Sequence, residues 1–433
     1  MSPEETCDDH PSHLLRRMVT ETGGIMAKRA LVVGLGIAGM AAAIGMRRAG
    51  WEAVVIERSP ERRTGGYFIG LFPEGLQAAA GLEIDTYLHT RNPVGGGDTW
   101  SLSRRGKRER ALGFLDQPGR PAAVLRGDIE EALWQSVVGA GEEGHRIEVR
   151  LGTVPVEITG SGTGVDVLLE KPGGGGRYRE TFDLVVGADG LRSTVRRLAF
   201  GPHEDYMTKW GAMICAFEMQ QQVPSFEAQD SVISARAGRA AWVFGFADRP
   251  PTALLTYRTD DIEAQFTGTP VERIGEAFTG MDDPVVRHAL DSLQQAPEFL
   301  FDSVHQVKMP RWSKGRVVLL GDAAWCLNLY SGMGATASLH GGAELGTALR
   351  EHPDDPDAAL SAWEDGLRPF ITKNQRVARL KQQMFVPSGR LAEGMRSGLL
   401  RVALNVRRRK AARAAEPRVG NDEQPGTTRQ EAA

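Results

Sequence analysis

The chain has 433 residues, 41% hydrophobic and 25% charged, which suits two or three sizeable cores in an ordinary globular protein and excludes a low-complexity or fibrous chain. A net charge of -3 excludes an overall pull toward nucleic acid or membrane. Cys7, Cys215 and Cys326 lie far apart without CxxC spacing, which excludes a disulfide framework and gives no metal site; a reducing, cytoplasmic setting is the expectation.

Residues 1–27 are polar, with early acids and no apolar leader core, and are expected to form a disordered extension; Met26 can be the translation start. Ala30 to Val33 then forms a buried-strand run that stops at Gly34-Leu35-Gly36-Ile37-Ala38-Gly39, a GxGxxG turn opening a helix. Gly34 permits the tight turn, Gly36 lets backbone approach a pyrophosphate, and Gly39 lets helix and strand pack closely. A second apolar run, Ala53 to Ile56, ends at Glu57, where a carboxylate can accept hydrogen bonds from a ribose. Together these point to a dinucleotide site.

Arg62 and Arg63 can meet phosphates of a second nucleotide or be solvated, and Pro73 to Ala80 reads as helix. Val124 to Trp134 has helical spacing, with Arg126 at its start, where a guanidinium can reach a flavin or its phosphates. Ile147–Leu151, Val154–Ile158 and Val165–Glu170 read as strands of an antiparallel excursion. Asp183 to Arg196 is a second marker: a buried strand, a tight turn carrying Asp189, and a helix that Ser193 can cap.

From Thr208 to Arg258 alternating strands follow, with Trp242, Phe244 and Phe246 on one face, either core or the floor of a flat apolar pocket. Helices over Val271–Phe278 and Pro284–Gln295 precede a returning strand, Phe299–Met309. The third marker is a buried strand ending at Gly321-Asp322-Ala323-Ala324-Trp325, followed by Ser331-Gly332-Met333-Gly334-Ala335 and a helix from Thr336. A glycine-rich helix start presents free N–H groups and a positive dipole end, suited to negative charge on a reduced flavin. Asp322 can accept from a polyol hydroxyl. Asp357–Val377 reads as helix. The basic stretch Arg396–Arg413, seven Lys or Arg without an acid, is a solvated helix face or a contact with anionic membrane or with polyketide machinery.

GLGIAG with Glu57, GADG at 187–190 and GDAA at 321–324 followed by GMG resemble, in this order, the class A FAD-dependent aromatic monooxygenases, the family of p-hydroxybenzoate hydroxylase. LRGDIEEAL at 125–133 resembles the family segment whose arginine contacts the flavin; RTGGY at 63–67 and the helix Leu339–Leu349 are similar to the actinobacterial polyketide and tetracycline-type branch. The resemblance implies an α/β fold: a three-layer FAD-binding Rossmann-like domain (28–72, 104–195 and 310–350), an inserted mixed β-sheet substrate domain (73–103 and 196–309), C-terminal helices (351–415) and a disordered tail (416–433). It implies FAD contacts from Gly34, Gly36, Ala38, Gly39, Glu57, Arg58, Arg126, Asp322, Gly332, Gly334 and Ala335, with Asp189 serving both FAD and the nicotinamide donor.

The implied reaction is hydroxylation of a small aromatic or polyketide-like molecule in secondary metabolism such as antibiotic biosynthesis, with NADPH or NADH as transient co-substrate and O2 delivered through a flavin C4a-hydroperoxide. Baeyer-Villiger or epoxidising outcomes, and a flavin-binding protein without turnover, stand as alternatives. No nucleic acid, membrane span or metal enters, and the sequence is silent on oligomeric state. Trp325, Leu329 and Met333 stand where relatives commonly carry His, Pro and Gln. Trp325, Met333 and His340 are the catalytic candidates nearest the flavin, His340 alternatively a packed helical residue, and Leu329 joins the aromatic trio as a pocket candidate. A disulfide reductase is excluded by the lack of a second GxGxxG and a redox Cys pair, and a flavin halogenase by the lack of WxWxIP spacing.

Overall fold

The computed structural model describes residues 27–62, 65–93, 97–104, 106–139, 147–160 and 164–415, except the side chains of 407–415. The expected extension at 1–26, Arg63, Thr64 and the tail at 416–433 lie outside the described residues.

Apolar runs without alternation belong to strands covered on both faces. Four such strands pair in parallel in the order Val317–Leu319, Leu184–Gly187, Arg29–Val33 and Glu52–Ile56; the polar strand Glu148–Arg150, expected in the antiparallel excursion, adds a fifth parallel strand beside Glu52–Ile56, and Ser313–Lys314 adds an antiparallel edge. The helices Ile37–Arg48, Arg126–Gly139 and Gly334–Glu351 share one core with this sheet. Val165, Val167, Leu169 and Phe182, from an antiparallel three-stranded sheet (Val154–Gly160, Val165–Glu170, Arg177–Phe182), join the same core.

Ile37–Arg48 and Gly334–Glu351 cross backbone to backbone. A Cβ on Gly346 would stand 2.5 Å from Gly45 Cα, and one on Gly342 2.7 Å from the carbonyl carbon of Ala41. Small residues thus set the separation of the two helices whose starts, as shown below, meet at the site.

The second sheet has seven strands in the order Phe299–Val307, Met207–Glu218, Thr252–Arg258, Arg239–Phe244, Ser231–Arg236, Thr99–Leu102 and Arg108–Arg110. Only the Ser231–Arg236 and Thr99–Leu102 pair is parallel. Alternate residues split between two cores, as a period of two demands. Met213, Cys215, Val243 and Leu255 face the helices Pro270–Phe278 and Pro284–Gln295, whereas Ile214, Ala216, Trp242, Phe244 and Leu254 face Leu125, Tyr330 and Phe385. The helix Pro356–Phe385 joins the halves, with Trp363 in the first core and Phe385 in the second.

Several boundaries move. Arg108–Arg110 pairs into the second sheet, so that sheet reaches past the expected limit at residue 103. The helix Pro73–Gly81, expected with the substrate domain, buries Ala78 and Ala79 in the first core. The helix expected from Val124 begins at Arg126, because Ala122–Leu125 pairs as a strand with Phe68–Leu71. Phe246 lies beyond the end of its strand at Phe244. Among the described residues no helix is long and apolar enough to cross a membrane.

Gly346→Ala is expected to destabilise the protein by about 1–3 kcal/mol, because the new methyl meets backbone that cannot yield. Chemical denaturation measures this, and an unchanged midpoint would show that the crossing is looser than described.

Candidate cofactor and substrate site

Two backbone hydrogen bonds help hold the turn after Arg29–Val33: Gly34 N donates to Ile56 O at 2.8 Å and Ala188 N donates to Val33 O at 2.8 Å. Gly34 has φ +109°, and a Cβ there would lie 2.5 Å from Ala188 O, so only glycine fits. Gly39 is equally confined, its missing Cβ pointing at Gly34 O. Gly36 differs. A Cβ on it would meet nothing nearer than Arg126 Nη2 at 4.0 Å.

That open space belongs to two adjoining cavities. One, of about 280 Å3, is lined by Gly34, Gly36, Glu57, Arg58, Asp189 and Arg192 among others. The other, of about 370 Å3, is lined by Ala38, Asp322, Leu329, Gly332, Gly334 and Ala335, and across from these elements by Phe68, Phe244 and Leu254. Gly36, Arg126, Ala188 and Gly190 line both.

Two long helices begin here without side-chain caps, Ile37–Arg48 behind Gly36 and Gly334–Glu351 behind Met333. Their first amides and dipole ends are available to anionic groups. A long ligand with a pyrophosphate at Gly36, a ribose near Glu57 and a flat ring in the larger cavity fits this cradle.

Glu57 accepts from Leu35 N at 3.0 Å and Ser59 N at 2.9 Å, which orients its carboxylate at the smaller cavity with lone pairs to spare. Arg126 forms an ion pair with Glu130 at 2.7 Å, and Tyr67 O accepts from its backbone N–H at 3.0 Å. Asp322 is open to the larger cavity but walled in by protein otherwise, and this enclosure raises its pKa, opposed by Cys326 and Arg126. Burial also pushes the Cys326 thiol well up and the Cys215 thiol up to about 12, so neither is a ready nucleophile.

Asp189 lines the smaller cavity and has a structural task besides. Its carboxylate accepts from Ser193 Oγ at 2.5 Å, Thr194 N at 2.6 Å and Val195 N at 3.1 Å, holding the start of the helix Thr194–Ala199. Burial raises its pKa against those bonds. Arg62 lines the smaller cavity while paired with Glu131 and lying 5.1 Å over the Trp134 ring.

The three catalytic candidates lie off the cavities. Trp325 is 1% exposed and packs on Trp312 at 4.6 Å and Trp363 at 5.8 Å, an indole cluster inside the first core. Met333 is buried in that core, and His340 stands 3.9 Å from Glu344 and 5.5 Å from the Phe370 ring, as a packed helical residue would. Of the pocket candidates, Leu329 and Phe244 line the larger cavity; Trp242 and Phe246 are packed behind it.

Other lining residues escaped the sequence reading. Phe68 stacks on Phe244 at 4.1 Å and 8°, and Phe385 lies between the cavity and Trp242, 4.6 Å from that indole. Asp302, Ser303 and His305 come from the strand Phe299–Val307. Arg192 donates to both Asp302 oxygens at 2.6 and 2.9 Å, tying the Asp189 turn to the second sheet and holding that carboxyl below its usual range against the effect of burial. Burial pushes the His305 pKa down, which favours the neutral ring. The Tyr67-Phe68 pair after two glycines was a usable local signal; nothing local marks Phe385.

Residues 28–374 match the family described as FAD binding domain. The chain belongs to the class A FAD-dependent monooxygenases. It is 29% identical to an uncharacterized protein of Mycobacterium tuberculosis H37Rv over 359 residues, 80% of this chain and 92% of the relative. It is 28% identical to the FAD-dependent monooxygenase asL6 of Sarocladium schorii over 395 residues, 83% of this chain and 89% of the relative. The fold is shared with the tetracycline destructase Tet(55), at a TM-score of 0.71 and 22% identity over 86% of this chain and 95% of that one. It is shared too with Klebsiella pneumoniae HpxO solved with FAD and uric acid, at 0.64 and 19% over 82% and 88%. This monooxygenase therefore takes FAD as cofactor and NAD(P)H as co-substrate.

Gly36→Val is expected to leave the apoprotein's melting temperature nearly unchanged, since the new side chain enters open space, while weakening FAD binding at least about tenfold. Retention of FAD by the purified variant would remove Gly36 from the pyrophosphate site. Asp322, whose folded pKa is raised, lowers folding stability as pH rises from the unfolded carboxylate value, about 4, through the folded one. Asp322→Asn is expected to flatten that decline in pH-dependent unfolding of the apoprotein and to weaken FAD binding by roughly tenfold.

Proposed function

We propose that this monooxygenase inserts one oxygen atom into a flat, electron-rich aromatic or polyketide-like molecule seated in the larger cavity, in secondary metabolism. The observation that carries this reading is the apolar wall opposite the glycine-rich helix starts: Phe68 stacked on Phe244, with Leu254 and Phe385 beside them. Aromatic faces hold a planar ring by offset stacking and exclude water from it. Bound FAD, reduced by NAD(P)H, would activate O2, one atom of which enters the substrate while the other leaves as water.

The protein's own contribution is placement. Gly34, Gly36 and the uncapped start of Ile37–Arg48 take the pyrophosphate, with Glu57 on the ribose and Arg58 and Arg126 beside the phosphates. Ala38, Asp322, Gly332, Gly334 and Ala335 surround the flavin, where the dipole end of Gly334–Glu351 stabilises negative charge on the reduced ring. Asp302, Ser303 and neutral His305 offer polar partners to substituents on the substrate. Support by likeness comes from HpxO, whose solved complex holds uric acid, and from destructases named for tetracycline. Trp325, whose departure from the relatives' usual His motivates the reading of flavin binding without turnover, lies in the first core.

The test is the absorbance spectrum of the purified protein, followed by NADPH and NADH oxidation in air with a panel of phenols, quinones and polyketides. The expected result is a yellow protein, faster oxidation with at least one compound, and a product heavier by one oxygen atom; its structure separates hydroxylation from Baeyer-Villiger or epoxide outcomes. A yellow protein that consumes NAD(P)H without oxygenating any planar aromatic would overturn the substrate class. Phe244→Leu, which keeps apolar volume but removes the ring, is expected to raise KM about tenfold and spare kcat. An equal fall in kcat and kcat/KM would instead place Phe244 in transition-state stabilisation.

A further inference from the structure

The C-terminal helix Arg390–Ala415 is tied to the rest of the protein by polar side chains, with Leu400 and Leu404 partly buried on the same side. Glu393 pairs with Arg104 and accepts from Ala237 N at 3.0 Å. Arg396, 5% exposed, donates from Nε to Met384 O at 2.6 Å, and Arg401 pairs with Glu109 at 3.1 Å. Five apolar side chains point the other way: Leu391, Met395, Leu399, Val402 and Val406 are 87, 69, 58, 62 and 47% exposed.

At 3.6 residues per turn these five fall within about 80° of arc, and the three anchoring residues lie about 100° or more from the middle of that row. The row runs about 22 Å along the axis. A surface helix of a globular protein normally keeps its outer face polar, and an unbroken exposed apolar row marks a surface that something covers.

Charge selects the occupant. In a chain of net -3, residues 390–415 carry eight Lys or Arg against one acid, Glu393, and five of the cations fall in Arg407–Arg413. A second copy would bring the same positive charge against itself. An anionic bilayer offers hydrocarbon to the row and negative headgroups to the cations, and the helix is too polar to cross it.

We propose that Arg390–Ala415 is an interfacial helix that seats this protein on an anionic phospholipid surface, its apolar row in the headgroup–acyl boundary. The inference is independent of the flavin site.

The test uses the full chain with vesicles of phosphatidylglycerol and phosphatidylcholine in equal parts, and with vesicles of phosphatidylcholine alone. Two variants accompany it: Leu391→Ser with Leu399→Ser and Val402→Ser, and Arg407→Gln with Arg408→Gln and Arg409→Gln. Co-sedimentation with the anionic vesicles is expected to exceed that with the neutral ones at least about tenfold, to fall with added salt, and to drop at least about tenfold in either variant. Melting temperature and FAD content serve as controls for folding. Failure of the wild type to sediment with anionic vesicles, or undiminished binding by the apolar-row variant, overturns the proposal. So does a row-dependent dimer, or a row-dependent complex with an acidic protein, in a chain that ignores both vesicle types.

Discussion

Everything at the site depends on one close approach, that of Gly34 to the carbonyl of Ala188. Adjacent parallel strands bring the two turns together, and Val33 O, Ile56 O and Gly187 O accept from Ala188, Gly34 and Leu320 so that three strand ends finish at one level. A side chain at position 34 would push the Asp189 turn away from the GxGxxG turn. The crevice outside the carboxyl ends of these strands is the topological switch point where open α/β sheets bind ligands. Glu57, Asp189 and Asp322, far apart in the chain, meet there because each follows a strand of the same sheet.

Around that crevice the molecule divides its labour. Two uncapped helix starts supply positive potential without a reorganising side chain, and the Gly45–Gly346 crossing fixes their spacing. The seven-stranded sheet offers the facing wall, and the long Pro356–Phe385 helix locks wall to crevice. Its Trp363 Nε1 donates to Gly341 O at 2.9 Å in the first core, and beyond its end Val386 O accepts from Arg258 Nε at 3.0 Å. Phe385 owes its place to both ends of that span.

Four strands of the parallel sheet, the glycine turn and the two acidic turns were legible because each is a local event: a buried strand, a sharp reversal, a helix start; Glu148–Arg150, too polar to read as a buried strand, was expected in the antiparallel excursion and pairs in parallel instead. Alternation also announced the second sheet, and with it Phe244. Trp325 misled because its neighbour Asp322 faces the cavity; what turns the indole into the core is Trp312 and Trp363, contributed by other segments. Asp189 was legible as a turn residue, but the three donors to its carboxylate, which follow it in the next helix start, give it a structural task that the sequence reading did not assign. Phe385 and the Arg192–Asp302 pair depend on contacts spanning more than a hundred residues, for which a sequence carries no local period. Boundaries near residues 73 and 104 moved because helix and strand there were assigned to a domain by sequence order, whereas packing put each on the opposite core.

We infer that the two cavities meeting at Gly36 and Arg126 hold one FAD stretched across both. Titration of the apoprotein with FAD and with riboflavin, followed by flavin fluorescence, tests it most directly. The account predicts one FAD per chain, bound at least about a hundredfold more tightly than riboflavin, because only FAD reaches the smaller cavity and the helix start behind Gly36. Equal affinity for the two flavins would contradict it.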